Sequence, residues 1–183
     1  HINLHVGSFA PEPEELSRDT LVRNLITLME YAARRRTAVT VENLRHGPTS
    51  DPDTLAGLLR ETGAPVTFDL GHAHGSAWVQ SGRGSVTDFL KGIPTPIVAA
   101  HLYFTERNDS HFAPARVEDI AAALDGLREA GCDFWVLELH TRETLEQTRR
   151  VVDQYLAEQA RSDREPGRAD LTPEEKGGRH VVS

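Results

Sequence analysis

Five times along the chain, a short apolar run alternates with polar residues and is followed by a stretch of helical periodicity. Residues 1–7 set Ile2, Leu4 and Val6 against His1, Asn3 and His5. Residues 37–44 (TAVTVENL) set Val39 and Val41 against Thr40 and Glu42. Residues 66–72 (VTFDLGH) end on Asp69, break at Gly71 and deliver His72. Residues 96–104 (PIVAAHLYF) place Ile97, Ala99 and His101 on one face and Val98, Ala100 and Leu102 on the other. Residues 133–140 set Phe134, Val136 and Glu138 against Trp135 and Leu137. A period of two in runs this short is the mark of a β-strand.

Between the strands the period changes to that of a helix. Leu21, Leu25, Leu28, Met29 and Ala32 share a face, closed by Arg34, Arg35 and Arg36, cations that suit the C-terminal end of the dipole. Asp51-Pro52 is a helix start, Leu55, Leu58 and Leu59 its apolar face, and Gly63 its stop. A short helix is expected around residues 86–90, and another on Ile120, Leu124 and Leu127, ended by Gly131. Thr141 caps the last, whose core face reads as Leu145, Val152, Tyr155 and Leu156. Residues 11–14 read as a loop or helix lead-in, residues 74–84 as a Gly/Ser loop carrying Trp78, and residues 105–116 as a long polar loop carrying Arg107, Asp109 and His111. Regular βα alternation means a parallel sheet with helices outside, either a barrel or a doubly wound sheet.

Composition narrows this picture only a little. The 183 residues suffice for one domain with a sizeable core, and no apolar run approaches the length of a membrane span. A single cysteine, Cys132, excludes an internal disulfide and fits a reducing cytoplasm, the expected location. The net charge is −8, while residues 161–183 hold five basic and five acidic side chains, so the excess acid lies in the body. An acidic body disfavours broad binding to a phosphate backbone. The last 23 residues lack an apolar face and read as a disordered charged tail beyond a domain of residues 1–160. Because the chain opens on His1 inside a strand pattern, it is expected to be the C-terminal part of a longer protein or a gene product lacking its start.

The chemistry lies at the strand ends. His5, Glu42, Asp69, His101 and Glu138 each close a strand and share parity with small or branched residues (Thr40, Thr67, Ala99, Val136), opposite the apolar face. In a barrel this parity looks inward, and the five converge on the C-terminal rim. Gathering several carboxylates and imidazoles there is electrostatically costly unless a divalent cation compensates.

In these pieces (INLHVGS, VTVENL, VTFDLGHAH, AAHLYF with Asp109-Ser110-His111, and FWVLELH) the chain resembles the xylose isomerase-like TIM barrels. That superfamily comprises sugar isomerases and epimerases and endonuclease IV-type apurinic endonucleases. The resemblance covers roughly residues 1–157 and implies an α/β fold: the C-terminal part of a (β/α)8 barrel, about five βα units forming strands four to eight. It implies a divalent cation (Mn, Mg, Co or Zn) on Glu42, Asp69, His101 and Glu138, with Glu42 and Glu138 also serving as acid and base at a sugar carbon. His72 resembles a histidine that contacts substrate, and Arg107 matches the spacing of an arginine that steadies it. In the endonuclease members His5, Glu42, Asp69, His72, His101, Asp109, His111 and Glu138 would surround a zinc cluster. The Pro-x-Gly-x-Gly that follows Asp-x-His in many relatives is here Phe112-Ala113-Pro114-Ala115-Arg116, without the glycines.

Three functions follow as expectations. The first is a metal-dependent isomerase or epimerase moving a proton on a small sugar or polyol, active in its full-length form. The second is a zinc-dependent endonuclease at abasic DNA, which the acidic body disfavours. The third is a barrel fragment that binds metal without turnover. A sugar substrate is the expected partner, a homo-oligomer is allowed, and His46, His74 and His140 read as surface histidines.

Overall fold

The computed structural model describes residues 1–6 and 17–162. The expectations for residues 11–14 and for a disordered tail at 163–183 lie outside them. Five strands form one parallel sheet: β1 (Ile2–Leu4), β2 (Val39–Glu42), β3 (Val66–Asp69), β4 (Ile97–Leu102) and a last strand, β7 (Trp135–Leu137). Their spatial order is their chain order, β1-β2-β3-β4-β7, and each pair is parallel. Helices α1 (Arg18–Ala33), α2 (Pro52–Thr62), α5 (Val86–Lys91), α6 (Ala121–Glu129) and α7 (Arg142–Ser162) fill the crossovers and follow the last strand. The sheet curls so far that His1, at its first edge, meets Phe134 just before β7, ring centroids 5.8 Å apart. The result is a half-barrel, the open form that five βα units can reach.

The core lies between the outer face of the sheet and the helices. Val39, Val41, Val66, Phe68, Ala100 and Leu102 face it and are buried, together with Leu55, Leu59, Phe89 and Leu124 from the helices. The opposite face carries Thr40, Thr67 and Ala99, all fully buried, with the Thr40 and Thr67 hydroxyls 2.8 Å apart. Asp51 caps α2 by accepting from the amides of Asp53 and Thr54, and Gly63 ends it with φ +68°, in the left-handed region that favours glycine. Thr141 accepts from the amide of Thr144 at the start of α7, as expected of a cap.

Several expectations are corrected. The register between β3 and β4 slips between Val66 and Thr67, so Ile97 pairs with Val66 and joins the helix-facing core instead of sharing a face with His101. A bulge is invisible to a count of alternate residues. Residues 74–84 are not mainly loop: α3 (Leu70–Gly75) and α4 (Ala77–Gln80) occupy their first half. Trp78 packs edge-on against Phe89, ring centroids 6.0 Å apart, and joins the core. The polar stretch after β4 is a hairpin, β5 (Thr105–Arg107) with β6 (Ser110–Phe112). Asn108 and Asp109 form its two-residue turn with φ +49° and +57°, the backbone that tight hairpins require. On α7 the buried residues are Thr148, Val151, Val152 and Tyr155, whereas Leu145 and Leu156 are exposed, and the helix runs to Ser162, past the expected domain limit.

Candidate functional site

The inward residues at the C-terminal ends of the strands meet. Glu42, Asp69, His101 and Glu138 each offer a ligand atom, and these atoms lie within 4.8 Å of one another. His101 Nδ1 is 2.9 Å from Glu138 Oε2 and 3.6 Å from both Glu42 Oε1 and Asp69 Oδ2. Asn3 donates to Glu42 Oε2, and His5 Nε2 stands 3.1 Å from the same oxygen. Asp69 is held on two sides. Its backbone exchanges two 2.8 Å hydrogen bonds with the Asn43 amide, and its Oδ1 accepts from the His72 amide at 2.6 Å, capping α3. Each of these side chains thus sits at or just past the end of a strand, beside its neighbours.

A second group adjoins the first. His72, Glu106 and His111 also bring ligand atoms within 4.8 Å of one another. His72 Nδ1 donates to the Asn43 carbonyl at 3.1 Å, which leaves Nε2 facing Glu106 Oε2 at 3.0 Å. His111 Nδ1 donates to the Glu138 carbonyl at 2.8 Å, and its ring stacks on Tyr103. Glu106 and His111 are directly opposed in the hairpin, so the tight turn at Asn108-Asp109 is what pairs them.

Electrostatics tie the groups together. Burial raises the Glu42 carboxyl, yet the His101 and His72 imidazoles beside it and the hydrogen bond from Asn3 outweigh it and hold it well below the usual carboxylate range. Burial, with the Glu42 charge beside it, leaves Asp69 raised. Burial opposes protonation of His101, but the adjoining carboxylates of Asp69, Glu138 and Glu42 push it up to about 12. Burial opposes protonation of His72 too, and Glu42, Asp69 and Glu106 push it up to about 9. The imidazoles therefore hold the protons that balance the carboxylates.

Glu42 Oε1, Asp69 Oδ2 and His101 Nδ1 are buried and have no hydrogen-bond partner. Orphaned buried polar atoms are costly, and three of them aimed at one point are what a bound cation would satisfy. Three carboxylates and one imidazole are a donor set for Mn, Mg, Co or Zn. The residues fit such an ion.

The other expected residues are placed as follows. His5 is exposed beside Glu42; Arg107 is exposed on the hairpin; Asp109 is exposed at its turn and belongs to neither ligand group. His140 is exposed and tilts over His111, 4.7 Å between centroids, and His46 is exposed beside Arg45. His74 is not the surface histidine expected of it: it lies against Phe104 at 4.5 Å, with Nδ1 buried. Sequence reasoning missed Asn3, Asn43, Tyr103 and Glu106. Parity with His5 and His101 was the available signal for Asn3 and Tyr103, and the Asn-Asp turn was the signal for Glu106.

No family model matches the chain. An uncharacterized protein of Methanocaldococcus jannaschii is 26% identical over 155 residues, which cover 85% of this chain and 65% of that protein. Among solved structures, a D-tagatose 3-epimerase-like protein superposes with a TM-score of 0.67 at 18% identity, over 88% of this chain and 63% of its own. A xylose isomerase domain protein from Planctomyces limnophilus gives 0.64 at 19%, over 87% and 59%. A 3-keto-D-glucoside 4-epimerase from E. coli, in its apo form, gives 0.58 at 14%, over 85% and 63%. The chain thus spans less than two thirds of the length of each.

Proposed function

For a chain with the fold of part of a xylose isomerase-like TIM barrel, we propose the chemistry of a cation-dependent isomerase or epimerase acting on a small sugar or polyol. The observation that carries this reading is the trio of orphaned atoms on Glu42, Asp69 and His101, with Glu138 beside them. Glu42, Asp69, His101 and Glu138 would hold one divalent cation, which when bound polarises a carbonyl–hydroxyl pair. Glu138 is the carboxylate that substrate can reach: its side chain is 44% exposed, against 1% for Glu42. The His101 imidazole, 2.9 Å away, lowers Glu138, so it is ionised and able to take a proton from a sugar carbon. Glu42, kept anionic by its partners, is the second carboxylate of an acid–base pair. His5, exposed beside Glu42, and Arg107, exposed on the hairpin, are proposed to contact substrate hydroxyls, and His72 to line the space between the two ligand groups.

Solvent exchange tests this reading. The chain, and any longer polypeptide that carries it, is loaded with manganese and incubated with a panel of ketoses in deuterated water. Deuterium entering a carbon position, and lost with Glu138→Gln, is the expected result. Cation binding with no carbon exchange on any ketose would overturn it.

The triad of His72, Glu106 and His111 favours a second reading, a site for more than one zinc ion that hydrolyses a phosphodiester at abasic DNA. The net charge of −8 opposes this, since a duplex needs a cationic footprint. Two or more tightly held zinc ions per chain, one of them lost in His111→Ala together with nicking of abasic duplexes, would select it. Metal binding with neither activity would select the inert-fragment reading.

A further inference from the structure

Tyr103 lies two residues after His101, just past the end of β4, and is completely buried. Glycine at position 71 is what admits its ring: a Cβ there would stand 1.9 Å from the ring's Cε2. The ring stacks on His111 with centroids 4.0 Å apart and planes 5° from parallel. It also meets His72 edge-on at 6.2 Å. Its hydroxyl is buried without a hydrogen-bond partner, so the contact with His111 is made by the ring alone. His111 itself sits on a three-residue hairpin strand that is partly exposed on both flanks, a poor platform for a fixed side chain.

We infer that Tyr103 is a positioning residue for His111. Its ring, seated on Gly71, fixes the plane of the imidazole, so that Nδ1 stays on the Glu138 carbonyl and Nε2 stays turned toward His72 and Glu106. Two constraints hold the histidine, a hydrogen bond at one edge and a stacked aromatic on one face. With either alone, the imidazole turns about its side-chain bonds. Fixing a ligand's orientation through a contact it does not share with the ligand's target is how supporting residues tune such sites. The inference rests on the proposed reading only for the purpose of His111. The geometry it asserts exists with or without a bound cation.

The test is long-range 15N–1H spectroscopy of the cation-free chain, histidine-labelled, with His111→Ala assigning the signals. In the unsubstituted chain and in Tyr103→Phe, His111 is expected as a single tautomer protonated at Nδ1, with ring protons shifted upfield by the stacked ring. In Tyr103→Leu the upfield shift disappears and the two tautomers average. Tyr103→Met, longer and more adaptable in packing, replaces leucine if that variant does not fold. Zinc affinity is expected to fall about tenfold in the leucine variant and not to fall further when His111→Ala is already present. A His111 pattern that survives in the leucine or methionine variant, or is lost in Tyr103→Phe, would overturn the inference. A chain that binds no zinc would strike the functional reading alone, since the spectra need no metal.

Discussion

The two ligand groups are built on different principles. Glu42, Asp69 and His101 lie on successive parallel strands and Glu138 directly follows the next, and Asp69 and His101 are paired in direct register. Their convergence follows from strand direction and parity, so no single local feature creates it. His72, Glu106 and His111 come instead from a six-residue helix and a hairpin whose strands are three residues each. Their meeting depends on local devices: a capping carboxylate, a two-residue turn and a glycine that admits Tyr103. The strand-borne group is therefore expected to tolerate changes around it and to fail only when a ligand is removed. The hairpin-borne group is expected to fail when a support is removed.

The largest effect should come from Glu138→Gln, which preserves shape and removes the reachable base. Carbon–hydrogen exchange should drop by about 10²–10⁴-fold, measured by deuterium incorporation. A variant that still exchanges at the original rate would move the chemistry away from the strand-borne group. Next is His111→Ala, which on the isomerase reading lowers turnover but leaves one cation bound through the strand ends, counted by metal analysis. If the cation count falls to zero, the two groups are one site and the contrast between them dissolves.

Gly71→Ala attacks a support and no ligand. The added methyl meets Tyr103, and overpacking of this kind costs about 1–3 kcal/mol, read as a shift in the denaturant midpoint. Any zinc taken up by the hairpin-borne group should be lost in this variant while the strand-borne group keeps its cation. Loss of both would mean that the strand ends depend on the turn as well.

The cation-free chain should also respond to pH. His72 rises from 6.5 to about 9 on folding, so its contribution is complete below pH 6.5 and is lost as pH climbs to about 9. His101, pushed up to about 12, prolongs the loss in the same direction. Glu42 acts on the acid side: its depressed value contributes above its ordinary 4.5 and is lost as pH falls. Melting temperatures should thus decline from pH 6.5 to 9 without a cation and hold steady with manganese present, because a cation replaces the protons. A flat cation-free profile would break the picture of protonated imidazoles. Smallest of all is Asp109→Gly. With φ +57° at the hairpin turn, glycine relieves the left-handed backbone but adds freedom to the unfolded chain, so stability should change by less than about 1 kcal/mol and metal binding stay unchanged. Loss of a metal in that variant would restore Asp109 as a ligand.

How much of this could be read from the residues differs between the groups in the same way. Alternation at residues 39–42 and 66–69 places Glu42 and Asp69 on the face opposite Val41 and Phe68, and the structure keeps that division. It is a local property of a period-two backbone, so one sequence suffices to see it. Glu106 escaped because its relevance comes from standing opposite His111, and cross-strand partners are set by the turn between them. Asp109 enters through the resemblance of Asp109-Ser110-His111 to the endonuclease members, and its backbone forms the hairpin turn.

Strand identity, parity, the βα order and the strand-end carboxylates and imidazoles were determined by the sequence itself, because each follows from local backbone geometry and the partition of apolar side chains. Only the tertiary structure decided the rest: the slipped register that turns Ile97 toward the helices, the hairpin that recruits Glu106, the room at Gly71 for Tyr103, and the orphaned atoms of Glu42, Asp69 and His101. These depend on distances between residues far apart in the chain, which packing sets and alternation does not encode.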